Sequence, residues 1–245
     1  MDIQIVDNVP FGHGDLKADL YLPQDDGQSP RVAVVLVFGG GWSTGDKTQQ
    51  KAYGIKLSKA GIVCVATDYR WSSQAIWPAQ LDDVSAAVQW LRASAATYNV
   101  DPNRIGISGN SSGGHLALMT GLTREKVAAI CAFYPPTDLE DLYHKGGNDT
   151  LDPLMGGDAT PEKLRAASPL SHIQGCSAPV LLLSGDADAR VPVAQTYALH
   201  QKLTAHGTKV ELHIFTGLGH AFDFDRGMTL LSADLLIRFF TSQMK

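Results

Sequence analysis

A chain of 245 residues with 44% hydrophobic content has the size of one α/β domain and can bury enough surface to fold without disulfides or a structural metal. Its 20 basic and 25 acidic residues leave a net charge of −5 with no basic cluster, which argues against a nucleic-acid partner. The opening MDIQIVDN has no basic segment followed by an apolar one, and the longest apolar run, 32–38, is too short to span a bilayer. These features predict a cytoplasmic protein with no membrane contact, unless a leader has been trimmed. Cys64 and Cys131 fall in apolar stretches and read as buried thiols.

Residues 3–6 and 16–22 alternate apolar with polar and predict an antiparallel pair at a sheet edge. Apolar runs then follow at 32–38, 62–67, 104–108, 127–133, 180–184 and 210–215, separated by helical patterns, which is the rhythm of βα units in a mostly parallel sheet. Leu81, Val84, Val88 and Leu91 recur at spacings of three and four, so 78–98 reads as an amphipathic helix, with Asp101-Pro102-Asn103 turning into the next strand. Further helices are predicted at 112–122, 193–206 and 228–243. The connection 134–178 is long, rich in Pro, Gly and Asp, and holds one plausible helix at 161–167. It reads as a small lid-like insertion between strands 6 and 7 of a single domain covering 1–245.

Gly109-Asn110-Ser111-Ser112-Gly113 matches G-x-S-x-G between a predicted strand and a predicted helix, the setting in which glycines let a serine sit on a tight turn with its hydroxyl exposed. A serine hydroxyl needs a base to take its proton, and that base needs an acid to orient it. His220, in Gly217-Leu218-Gly219-His220-Ala221-Phe222, and Asp188, in the turn Ser184-Gly185-Asp186-Ala187-Asp188, supply both in the order Ser, Asp, His; Asp186 is the rival acid. Phe38-Gly39-Gly40-Gly41-Trp42 ends the first central strand, and the N–H groups of Gly40, Gly41 and Ser112 are the candidate oxyanion donors. The same segment nearly spells a phosphate loop, but Asp46 stands where lysine is required.

With these motifs in place the chain resembles the α/β-hydrolase esterases, most closely the compact branch with hormone-sensitive-lipase-like motifs that includes acetyl xylan and feruloyl esterases and arylformamidases. GGGWSTGDK, Asp68-Tyr69-Arg70, DPNRIGISGNSSGGHLAL, GDADARVP and GLGHAF carry the resemblance over nearly the whole length. It implies an eight-stranded, mostly parallel sheet flanked by helices, a Ser111–His220–Asp188 triad, an oxyanion loop at Gly40 and Gly41, and no cofactor or metal. Two positions depart from the family, Phe38 and Ser184, where histidine is usual.

The remaining candidates have plainer readings. His115 reads as a packed structural residue, Asp223 and Asp225 as surface acids, and Asp68, Tyr69 and Arg70 as braces under the site. Trp42 and Phe222, next to the motifs, are placed at the substrate pocket. The expected chemistry is hydrolysis of short-chain acyl esters, with a small molecule or an acetylated or feruloylated carbohydrate as substrate. Amide or formamide cleavage by the same triad is the rival, and a non-catalytic binding protein on the same fold is the alternative from another class. The acids of the insertion, Asp138, Glu140, Asp141, Asp149, Asp152 and Asp158, are expected to disfavour lipid surfaces and anionic substrates. The oligomeric state is not legible.

Overall fold

The computed structural model describes residues 2–12, 14–24 and 29–245. Eight strands form one sheet in the order β1-β2-β4-β3-β5-β6-β7-β8. They are β1 (Ile3–Pro10), β2 (Lys17–Pro23), β3 (Arg31–Val37), β4 (Val63–Thr67), β5 (Val100–Asn110), β6 (Ile130–Phe133), β7 (Val180–Gly185) and β8 (Val210–Phe215). β1 pairs antiparallel with β2, and β2 with β4; every other pairing is parallel. The mostly parallel sheet is the one that the strand rhythm predicted, and its eight strands are those that the resemblance to α/β-hydrolases implied.

The central strands are buried on both faces, which is why they read as continuous apolar runs. Val35 and Val37 of β3 join one core cluster with Val65, Ile107 and Leu182; their neighbours Val34 and Leu36 join the other with Cys64, Leu181 and Leu183. Helices α2 (Ala79–Ala93), α3 (Ser112–Thr123) and α7 (Val193–Ala205) cover the first face, and α1 (Lys51–Lys59) and α8 (Arg226–Gln243) cover the second. Helix α1 was not predicted: Tyr53 and Leu57 are its buried apolar residues, too few to mark a stripe. Asn103 N–H does bond Asp101 Oδ1 at 2.9 Å, as its turn signature required, but the turn is a bulge inside β5, between the pairs Arg31↔Val100 and Ala33↔Ile105.

Between β6 and β7 the insertion holds more structure than its composition suggested. Besides α6 (Pro161–Ala166) it forms α4 (Leu139–Leu142) and α5 (Asn148–Leu154), separated by a kink at Lys145 and Gly146. Asp138 caps α4 and Thr160 caps α6. Leu139, Leu142, Leu151, Leu154 and Leu164 all enter the first core cluster, so the insertion is anchored to the body of the protein. β4 and β5 flank β3 on opposite sides, which makes the C-terminal ends of β3 and β5 a topological switch point, where a crevice opens in sheets of this kind.

Candidate active site

Ser111 stands at that crevice, immediately after β5, with φ 52° and ψ −121°. A non-glycine residue at this φ is strained, and the turn is held by Ser111 N–H to Phe133 O at 2.9 Å and His115 N–H to Ser111 O at 2.9 Å. Close packing explains the flanking glycines. A Cβ at Gly113 would come within 2.3 Å of Val37 O and 2.4 Å of Phe38 O.

The structure brings together the three residues singled out from the sequence. Ser111 Oγ lies 2.9 Å from His220 Nε2, and His220 Nδ1 lies 2.7 Å from Asp188 Oδ2. Asp188 Oδ1 accepts the N–H groups of Arg190 (2.8 Å) and Val191 (2.9 Å), which fixes the carboxylate in its turn. Asp186 turns elsewhere, accepting the N–H of Gly217 at 2.6 Å, and so braces the histidine loop from outside.

The glycine loop after β3 faces the same serine. Gly40 has φ 148°, and a Cβ there would lie 2.0 Å from Thr44 O; Gly41 has φ 59°. Gly39, Gly40 and Gly41 line the cavity that contains Ser111, and the N–H groups of Gly40 and Gly41 have no acceptor among the described residues. Asp46 folds back to accept the N–H of Thr48 at 2.8 Å, so the near-phosphate-loop is a helix cap. Phe38 stacks on Tyr69 with centroids 4.3 Å apart, and Tyr69 O–H donates to Phe38 O at 3.2 Å; an aromatic pair braces the loop where the family usually has histidine. Ser184 Oγ bonds Thr196 Oγ1 at 2.7 Å. Asp68 holds Lys47, and Arg70 forks onto Asp83, which agrees with their reading as braces.

Residues 18–203, most of the chain, match the BD-FAE family. The chain belongs to the BD-FAE family. Among curated relatives it is similar to Esterase LipC of Mycobacterium tuberculosis, 29% identical over 228 residues, 84% of this chain and 56% of the relative. It therefore spans about half the length of the curated relatives it matches. Among solved structures it is similar to a truncated form of a carbohydrate esterase from gut microbiota, with TM-score 0.87, 27% identity, and coverage of 98% of this chain and 96% of that one. It is also similar to a thermophilic esterase, Est2, from the Planctomycetes species Thermogutta terrifontis in a propionate-bound form, with TM-score 0.80, 28% identity, and coverage of 98% and 93%.

Two placements in this BD-FAE chain differ from those expected. Phe222 does not line the cleft: it is buried in the second core cluster against Phe133, Tyr134 and Phe215, and Phe224, on the same short turn and largely exposed, lines the cleft instead. Asp223 is not a surface acid. It is 3% exposed, and its carboxylate accepts from the hydroxyls of Tyr134 and Tyr53 and from Asn110 Nδ2. Burial raises its pKa above the usual carboxylate range, opposed by the hydroxyls of Tyr134 and Tyr53; burial likewise raises both tyrosines.

Trp42 does reach the cleft, with most of its ring buried. Its indole N–H donates to His115 Nδ1 at 3.2 Å, while His115 Nε2–H donates to Ala167 O at 2.7 Å. Complete burial lowers His115 to a pKa of about 4 and keeps it neutral, which suits this donor-and-acceptor role. His115 thereby ties α3 and the glycine loop to the insertion.

Two cavities flank Ser111, of about 370 and 290 Å³, and share Gly41, Thr150, Arg190 and His220. The acids of the insertion do not line either one. Arg190 and Lys145 do, and although Lys145 pairs with Asp141 at 2.8 Å, the Arg190 guanidinium has no partner among the described residues. Arg190 and Lys145 are thus the Lys or Arg side chains that border the cleft, and the acids of the insertion lie away from it. No group of three or more His, Cys, Asp or Glu among the described residues could hold a metal ion, and none of the described helices is long and apolar enough to cross a membrane.

Proposed function

We propose that this protein is a serine carboxylesterase acting on short-chain acyl esters, acetylated carbohydrates among them, and that the eight strands and their insertion work as one catalytic domain. The observation that carries the reading is the unbroken chain from Ser111 Oγ through His220 to Asp188, at 2.9 and 2.7 Å, inside a cleft walled by glycine backbone.

In this mechanism Asp188 holds His220 with its proton on Nδ1, leaving Nε2 free to take the serine proton as Ser111 Oγ attacks the ester carbonyl. The negative charge that develops on the carbonyl oxygen is met by the N–H groups of Gly40, Gly41 and Ser112. The intermediate collapses as His220 returns the proton to the leaving alcohol, giving an acyl-serine. Water, deprotonated by His220, then attacks that ester, and the second tetrahedral intermediate releases the acid and restores Ser111. No step calls for a cofactor.

Short acyl groups suit cavities of this size, which stand at the small end of ligand pockets. The propionate bound to Est2 and the carbohydrate esterase of similar structure support the same substrate range. The test is a panel of p-nitrophenyl acetate, butyrate, octanoate and palmitate, with acetylated xylan, feruloyl esters and N-formylkynurenine alongside. A kcat/KM maximum at acetate or butyrate supports the proposal. A maximum at octanoate or beyond, or faster cleavage of the formamide than of any ester, refutes it.

A further inference from the structure

The mechanism above leaves Asp223 unused, although its carboxylate sits on the histidine loop just past His220. Three donors from distant parts of the chain converge on it: the Tyr134 hydroxyl on Oδ1, and the Tyr53 hydroxyl (2.9 Å) and Asn110 Nδ2 (2.5 Å) on Oδ2. Asn110 is the residue before Ser111, and its Oδ1 is held in turn by Gln50 Nε2 at 2.7 Å. Tyr134 has φ 35°, its N–H is anchored to Leu183 O at 2.6 Å, and its ring packs edge-on against His220 with centroids 4.6 Å apart.

A buried carboxylate is a costly way to fill space, since an apolar side chain of similar volume stabilises a core as well or better. What this one adds is direction. It ties together the ring beside His220, the residue that precedes Ser111 and the loop that carries His220.

Resting on the esterase reading of the triad, we infer that Asp223 is a positioning residue: through Tyr134 it sets the plane of the His220 ring, and through Asn110 the approach of Ser111. It touches neither substrate nor reacting atoms. Its work is to keep Oγ and Nε2 aligned while protons pass between them, and misalignment on the ångström scale is costly in rate.

The three donors allow a purely structural role to be told apart. Tyr53 lies on α1 and its ring meets Phe133, whereas the ring of Tyr134 meets His220. Tyr134→Phe keeps the ring and deletes the hydroxyl that Asp223 holds, and Tyr53→Phe deletes a comparably buried bond on the far oxygen. Steady-state hydrolysis of p-nitrophenyl acetate, fluorophosphonate labelling rates and melting temperatures are measured for wild type, both tyrosine variants, Asp223→Asn and the Asp223→Asn/Tyr134→Phe double variant.

Tyr134→Phe is expected to lower kcat and the labelling rate about ten- to hundredfold with KM held within about twofold. Tyr53→Phe should lower the melting temperature by a similar amount and kcat far less, and the double variant should be no slower than its slower parent. Equal kcat losses in the two tyrosine variants, or a Tyr134→Phe enzyme with wild-type kcat, overturn the inference. If Asp223→Asn does not fold, the tyrosine pair still decides. Labelling is read independently of any ester, so a wild type that labels at Ser111 but hydrolyses nothing in the panel counts against the substrate reading alone.

Discussion

Two buried carboxylates serve the histidine loop, and they are held in different ways. Asp188 accepts two backbone N–H groups from its own turn and spends its second oxygen on His220. Asp223 accepts side-chain donors from three remote segments and bonds no ring nitrogen. A carboxylate fixed by its own backbone keeps its direction when distant parts of the fold shift, which suits a group that must orient an imidazole through repeated proton transfers. One fixed by side chains from α1, β5 and the start of the insertion takes its position from the whole fold, and passes that position on.

The sharpest test removes the atom that both acids serve. Ser111→Ala should abolish turnover and fluorophosphonate labelling while circular dichroism and melting temperature stay close to wild type; labelling that persisted at another serine would displace the assignment. Asp188→Asn should follow, with kcat lower by about 10⁴-fold, because the amide cannot hold His220 with its proton on Nδ1. Asp186→Asn, which loosens only the bond to Gly217, should cost far less, and the reverse order would exchange the two roles.

His115 gives a smaller effect, read in stability. Its folded pKa, about 4, is depressed below the ordinary histidine value, so the unfolded chain binds the proton more readily. The stability this contributes is present above about pH 6.5 and drains away as pH falls toward 4, by about 3 kcal/mol over the interval. Urea titrations at pH 7 and pH 5 should register the loss, and a His115→Gln variant with an unchanged pH slope would contradict it. The smallest effect is expected from Arg190→Ala, which keeps the backbone N–H on Asp188 and removes only a side-chain charge that has no partner among the described residues. It should weaken KM for the p-nitrophenyl hemiester of succinate by about two- to fivefold at low salt, leave acetate unaffected, and vanish in 0.5 M NaCl.

The difference between the two acids also marks how far the sequence could be read. Ser111, Asp188 and His220 were legible because each sits in a short motif whose local geometry constrains it: a glycine-flanked elbow and two strand-end turns. Asp223 was not, because its donors lie at 53, 110 and 134, and nothing in Phe222-Asp223-Phe224 distinguishes a buried acid from an exposed one. The short turn at Phe222–Phe224 caused the companion error, sending Phe222 inward and Phe224 toward the cleft. The sheet was legible because strands buried on both faces are unbroken apolar runs. Much of the insertion was not, since Pro153 lies inside α5, and Gly146 and Gly147 interrupt the pattern between α4 and α5.

The anchoring of that insertion determines which part of it can be exchanged. Its leucines belong to the main core, and its carbonyl at Ala167 holds His115, so replacing the segment wholesale would disturb the floor of the cleft along with its rim. The kinked stretch Tyr143–Gly147 has no buried residues, yet Lys145, Gly146 and Gly147 border the cleft. Directed evolution toward bulkier alcohols should therefore begin with randomised composition at Lys145 and the exposed His144 beside it, keeping Gly146, whose φ of 97° favours glycine.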